Sequence, residues 1–166
     1  MTTIQKEDYV FEVDIDKTIT YYQSHTLCDC DYCKNFYPQI KETLPKLAEF
    51  LSHFGVDVSK PDEIMSMESE DEILYINVDY TVCGNVISMG EYEIDIQDRQ
   101  FLSLVITDGF VSPNQQTAEY FTISVSDITL PWVLDRPFPT AVPCKATSPL
   151  KRIFQKICKP IKKETE

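Results

Sequence analysis

The sequence predicts an α+β domain, an antiparallel β-meander sheet packed against an N-terminal helical region and a C-terminal amphipathic helix. Three observations predict it. Apolar and polar residues alternate with period two in several segments separated by turn signals. Phe36, Ile40, Leu44, Leu47, Leu51 and Phe54 recur at helical spacing. Near the end, Leu150, Ile153, Phe154 and Ile157 do the same. The chain has 166 residues, enough for one domain with a core that needs no staple to fold. Hydrophobic and aromatic fractions of 43% and 11% exclude a disordered chain.

In chain order, Tyr9 to Tyr22 reads as a half-buried strand, with Phe11, Val13 and Ile15 alternating with Glu12, Asp14 and Asp16. A cysteine-rich loop follows, then the helical region. Pro38 suits a first turn, whereas Pro45 predicts a kink or two short helices with Thr43 as the second cap, and Gly55 closes the region. Val56 to Glu72 is polar and ends in an acidic run, so a loop is expected.

The strongest β-signal is Leu74, Ile76, Val78, Tyr80 and Val82, running into Gly84-Asn85, a two-residue hairpin signal. The expected return strand carries Ile87 and Met89 on one phase and Tyr92, Ile94 and Ile96 on the other. A bulge at Met89-Gly90 would keep the core face continuous. Phe101 to Thr107 and Tyr120 to Ser126 are further strands, with turn or loop sequences at Asp108-Gly109 and Ser112 to Ala118. Leu130 to Pro143 holds four prolines around Trp132, which predicts an extended segment with the indole packed on the body. Ser148 then caps a helix with Pro149 at its first position, stopped by Pro160.

The expected organisation is a single domain, 1–166, with an acidic body over 1–143 and a basic helix and tail over 144–166. From Cys144 onward seven Lys and Arg face Glu164 and Glu166, so this segment carries +5 and the body −17 of the net −12. Such a body repels nucleic acid and anionic lipid and attracts a basic protein partner. The first residues lack a basic, apolar leader, and no run reaches membrane-span length, so a cytoplasmic protein is expected. Thiols there stay reduced, which favours metal ligation or redox chemistry over a disulfide framework.

Three of the six cysteines fall within Leu27-Cys28-Asp29-Cys30-Asp31-Tyr32-Cys33-Lys34. A C-x2-C turn offers two thiolates to zinc, because its amides point at the sulfurs, and Cys28 can add a third if the loop curls. Cys83, beside the expected Gly84-Asn85 hairpin, is the first candidate for the fourth ligand. His25 is the second. Cys144 and Cys158 read as ordinary small apolar residues. The predicted metal set is therefore Cys28, Cys30, Cys33 and Cys83, with zinc as the cofactor.

Cys30-Asp31-Tyr32-Cys33-Lys34, with Pro38 following, resembles the thioredoxin active site, C-x-x-C-K with a helix proline. The resemblance implies Cys30 as the attacking thiol and Cys33 as the resolving one. Asp29 and Asp31 oppose a free thiolate at Cys30, whereas a dication draws thiolates and carboxylates together. No nucleophile elbow or phosphate loop is present. His53 reads as a helix-end residue, and Asp14, Asp16, Asp79, Glu91, Glu93 and Asp95 as the wet face of the sheet. The expected function is a small acidic binding or interaction module, immunity- or inhibitor-like, with a cysteine-loop metal site. The alternatives are a thiol-redox enzyme using Cys30 and Cys33, or a metal-dependent hydrolase.

Overall fold

The computed structural model describes residues 1–100, 102–108 and 119–139. These form β1 (Thr2–Lys6), β2 (Tyr9–Val13), α1 (Ile15–Ser24), α2 (Asp31–Phe36), α3 (Ile40–Thr43) and α4 (Pro45–Ser52). Then come β3 (Glu63–Ser69), β4 (Glu72–Ser88), β5 (Ser103–Asp108) and β6 (Tyr120–Pro131). The fold is α+β: six strands, all paired antiparallel, in the order β1-β2-β4-β6-β5, with β3 also on β4. The expected terminal helix, from Ser148, lies outside the described residues.

The sheet is built around β4, which is 17 residues long. β6 pairs along one edge from Glu72 to Cys83. The other edge is shared in tandem, β3 pairing from Glu72 to Asp79 and β2 from Gly84 to Ser88. The Gly84-Asn85 hairpin, its return strand and the Met89-Gly90 bulge therefore do not form. Val82 and Tyr80 pair with Phe121 and Ile123 of β6, and Ile87 and Met89 are exposed. Gly84 serves a different need. It has φ +147°, and a Cβ there would sit 2.1 Å from the Glu12 carbonyl oxygen of β2, so the two strands approach through its missing side chain.

The hairpin on β4 lies at its other end. Glu70-Asp71 joins β3 to β4, within the acidic run expected to be a loop. β3 is polar because it is an edge strand with one exposed face, including Met65 and Met67. The change of apolar phase is real but sits elsewhere. β4 faces the core with Ile73 and Tyr75 and then with Val78, Tyr80 and Val82; β6 does so with Leu130 and Ile128 and then with Val125, Ile123 and Phe121. Both switch between the Tyr75–Ile128 and Asn77–Ser126 pairs, where Asp127 has φ +64° and β3 slips by one residue. Matched irregularities on neighbouring strands keep one continuous core face.

Ile15 to Tyr22, expected as strand, is helical. The Asp14 carboxylate accepts the Lys17 amide at 3.1 Å and starts α1, which buries Thr18, Tyr21 and Tyr22 on one face. A cap and a buried stripe override the β-preference of these residues. The proline-broken region forms short helices, with Pro45 opening α4 as anticipated. Thr43 is not the cap. Leu44 occupies that position, and Asp98 Oδ2 accepts the Lys46 and Leu47 amides at 2.9 and 3.1 Å from across the fold. Gly55, with φ +80°, turns the chain out of α4. Phe36, Ile40, Leu44, Leu47, Leu51 and Phe54 are wholly buried in the core, together with Tyr75, Tyr80 and Phe121 of the sheet.

Candidate metal centre

Cys28 and Cys30 lie in the segment joining α1 to α2, and Cys33 lies in the first turn of α2. Their three sulfur atoms are all within 4.8 Å of one another. Tetrahedral zinc with Zn–S near ~2.3 Å holds thiolates roughly 3.8 Å apart, so this donor set fits a thiophilic ion with little rearrangement. All three thiols are free; Cys28 and Cys30 are exposed, and Cys33 is buried. The ion's protein side would thus be α2 and its other side solvent.

Hydrogen bonds hold the loop in this shape. Cys30 is the N-terminal cap residue of α2, and its carbonyl accepts the Lys34 amide at 3.0 Å. The Tyr37 hydroxyl donates to the Cys28 carbonyl at 3.1 Å, drawing the loop over the helix. The Cys30 amide, with the Cys30 and Cys33 thiols, pulls the Cys28 thiol below its ordinary pKa. Burial pushes the Cys33 thiol well up, with the Cys30 thiol adding to it. A dication reverses that penalty by ligating the thiolate.

The helix carrying Cys33 is anchored on both sides. The Tyr32 hydroxyl donates to Glu68 of β3, and the Tyr75 hydroxyl donates to the Tyr32 carbonyl at 2.9 Å. The fully buried Asn35 donates to the Tyr75 hydroxyl at 3.2 Å and the Pro131 carbonyl at 3.0 Å, and accepts the Val133 amide at 2.8 Å. Arg136 forms an ion pair with Asp31, next to Cys30. Sequence reasoning missed Tyr37, Asn35 and Arg136. Only a mid-helix Asn in an apolar stripe hinted at a buried polar anchor.

The two candidates for the fourth ligand lie elsewhere. Cys83 is in the interior of β4, only 3% exposed, with burial pushing its thiol up. The hairpin that would have carried it to the loop is absent, and its neighbours are Thr18 and a cleft of about 300 Å³ lined by Lys17, Thr20, Tyr21 and Ser24. His25 is occupied otherwise: Nε2 faces the Pro61 carbonyl at 3.1 Å, and Nδ1 lies 3.6 Å from the Asp62 carboxylate. Cys144 and Cys158 lie outside the described residues. No protein-family model, curated protein or solved structure matches the chain.

The carboxylates read as a wet sheet face have varied roles. Asp14 caps α1, Asp79 is buried and accepts from Asn77 and Ser124 at 2.6 Å each, and Glu91, Glu93 and Asp95 lie off the strands. Among the described residues, the three cysteines are the one metal-competent cluster. No helix among these residues is long and apolar enough to cross a membrane.

Proposed function

We propose that the protein is a binding module whose Cys28-Cys30-Cys33 loop holds a thiophilic metal ion, zinc foremost. Its acidic body takes a basic protein partner, as an immunity or inhibitor protein does. The observation that carries the metal reading is the convergence of three sulfurs within 4.8 Å. The −12 net charge supports the basic partner through long-range attraction. When bound, the ion would staple the loop to α2 and neutralise the three thiolates.

One observation favours the redox alternative. Cys30 is exposed at the start of α2 while Cys33 is buried one turn on, as an attacking and a resolving thiol would be. In that reading Cys30 attacks a substrate disulfide, Cys33 displaces the mixed disulfide, and the substrate leaves as two thiols. Competition between the reduced protein and a chromophoric zinc chelator separates the readings. The metal reading predicts one zinc held per chain and its loss in Cys30→Ser. A protein that fails to take zinc from the chelator, yet forms the Cys30–Cys33 disulfide with a small disulfide oxidant, would favour the redox enzyme.

A further inference from the structure

An edge strand presents a row of backbone amides and carbonyls without ladder partners, and proteins ordinarily guard it with lysine, proline, a bulge or a covering element. β3 is not guarded in these ways. Glu63–Ser69 runs for seven residues without Lys, Arg or Pro, and the extra residue at its slip, Ile76, belongs to β4. β3 pairs with β4 on one side. Among the described residues, no backbone hydrogen bond outside that ladder involves it.

Ile64 packs against the core, which sets Met65 and Met67 on the opposite face, 61% and 49% exposed. Leu74, paired with Met67 on β4, extends this apolar face into the sheet. Thioether side chains adapt their shape to varied apolar partners. Among the described side chains of β1 and β5, the other outer strands, Val105 is the one large exposed apolar residue. β3 is also held in place from α2, where the Tyr32 hydroxyl donates to Glu68. A partner therefore meets a preformed edge, which lowers the ordering cost of binding. We infer that the free edge of β3 is where the basic partner docks, as an extended segment that adds to the sheet antiparallel to β3. This rests on the basic-partner reading above and is independent of the metal.

Charge selects the occupant. Residues 63–72 hold Glu63, Glu68, Glu70, Asp71 and Glu72 and no Lys or Arg. Two copies of β3 set edge to edge would oppose these acidic runs, and like charges directly opposite destabilise a strand pair. A basic strand reverses the sign. Glu63, Met65 and Met67 share the exposed face of β3. An added segment reading apolar-x-apolar-x-Lys/Arg therefore sets its apolar residues over Met67 and Met65 and its cation over Glu63. In such strand addition, main-chain bonds supply affinity and the alternating side chains supply selection.

Amide hydrogen exchange of the full chain, read with two synthetic peptides, tests the inference. The probe alternates lysine and valine; its control alternates lysine and proline, which keeps the charge but removes backbone donors. The probe should bind more tightly than the control and slow exchange within Glu63–Ser69. Met65→Ser/Met67→Ser changes exposed positions at constant charge, and should bind the probe ~10-fold or more weakly through lost apolar burial. Equal binding of the two peptides, undiminished binding by the variant, or unchanged exchange at Glu63–Ser69 with the probe bound overturns the inference. So does an edge already protected in the free chain. Each of these results leaves a basic partner to dock elsewhere on the acidic body. Failure to bind either peptide at low salt overturns both the edge assignment and the basic-partner reading, with the metal site untouched.

Discussion

Thr18 Oγ1 accepts the amide hydrogen of Cys83 at 3.1 Å, and through this bond helix α1 stands in for a strand. Between the segments of β4 paired with β3 and β2, the backbone of Thr81 and Cys83 has no strand beside it on that edge. Asp62 Oδ2 accepts the Thr81 amide, and the Tyr22 hydroxyl donates to the Thr81 carbonyl. Thr18 takes the Cys83 amide, and the Asp14 amide donates to the Cys83 carbonyl. Buried backbone groups must be paired, so this gap is sealed by side chains and a helix start. The position of Cys83 is thus explained by the sheet rather than by a metal.

Thr18→Val keeps the shape of the side chain and removes its hydroxyl, leaving the Cys83 amide buried without a partner. An orphaned buried donor costs about 1–3 kcal/mol. Chemical denaturation should show that loss with an unchanged m-value. Cys83→Ala should leave metal content intact, since its sulfur lies outside the cluster.

Gly84→Ala should be more damaging than its place in a strand suggests. The new methyl would meet the Glu12 carbonyl oxygen at 2.1 Å, and the backbone φ of +147° is hostile to any L side chain. Overpacking and backbone strain together predict a loss of ~3 kcal/mol or more, with β2 detached from β4. Amide exchange of Val10 to Val13 would read this directly. Asn85→Ala would be mild by comparison, because Asn85 does not form a turn.

How far the sequence reveals this fold depends on whether local pattern and tertiary role coincide. Helix α4 and its apolar stripe were legible because Pro45 and the three-to-four spacing agree with burial. The phase slip was legible as a problem but was assigned to Met89-Gly90, since nothing local marks Ile76 or Asp127. Gly84-Asn85 has the chemistry of a tight turn, and only the approach of β2 gives that glycine its other purpose. The three-cysteine loop was readable from spacing alone. Cys83 does not join it, because the Gly84-Asn85 hairpin that would carry it to the loop does not form.

Acid and alkali should both weaken the contact between α2 and β3. The Tyr32 hydroxyl holds the Glu68 carboxyl below its ordinary range, and Glu68 with burial pushes Tyr32 up to about 12. A depressed carboxyl contributes stability above its unfolded pKa and loses that contribution as pH falls through its lowered folded pKa. A raised phenol leaves stability intact below about 10 and lowers it as pH rises beyond. Tyr32→Phe should flatten both limbs of a stability-versus-pH curve. Limbs identical to wild type would mean the pair is broken in solution.

In reduced, metal-free protein the thiols should separate by exposure. Cys28 and Cys30 should be alkylated first, and Cys33 and Cys83 only on unfolding. Cys28 should become half-reactive at a lower pH than an ordinary thiol, because the Cys30 amide and neighbouring thiols stabilise its thiolate. Mass spectrometry of peptides after timed alkylation across pH 6 to 9, a range of about three units around neutral and thiol pKa values, measures both.

The most direct measurement is elemental analysis of the full chain purified without added metal or a metal-binding tag, paired with a native thiol count. About one thiophilic ion per chain is predicted, zinc foremost, with Cys28, Cys30 and Cys33 protected until denaturation or chelation. Protein that is folded, metal-free and freely reactive at Cys28 and Cys30, and that takes up no zinc when it is supplied, would contradict it.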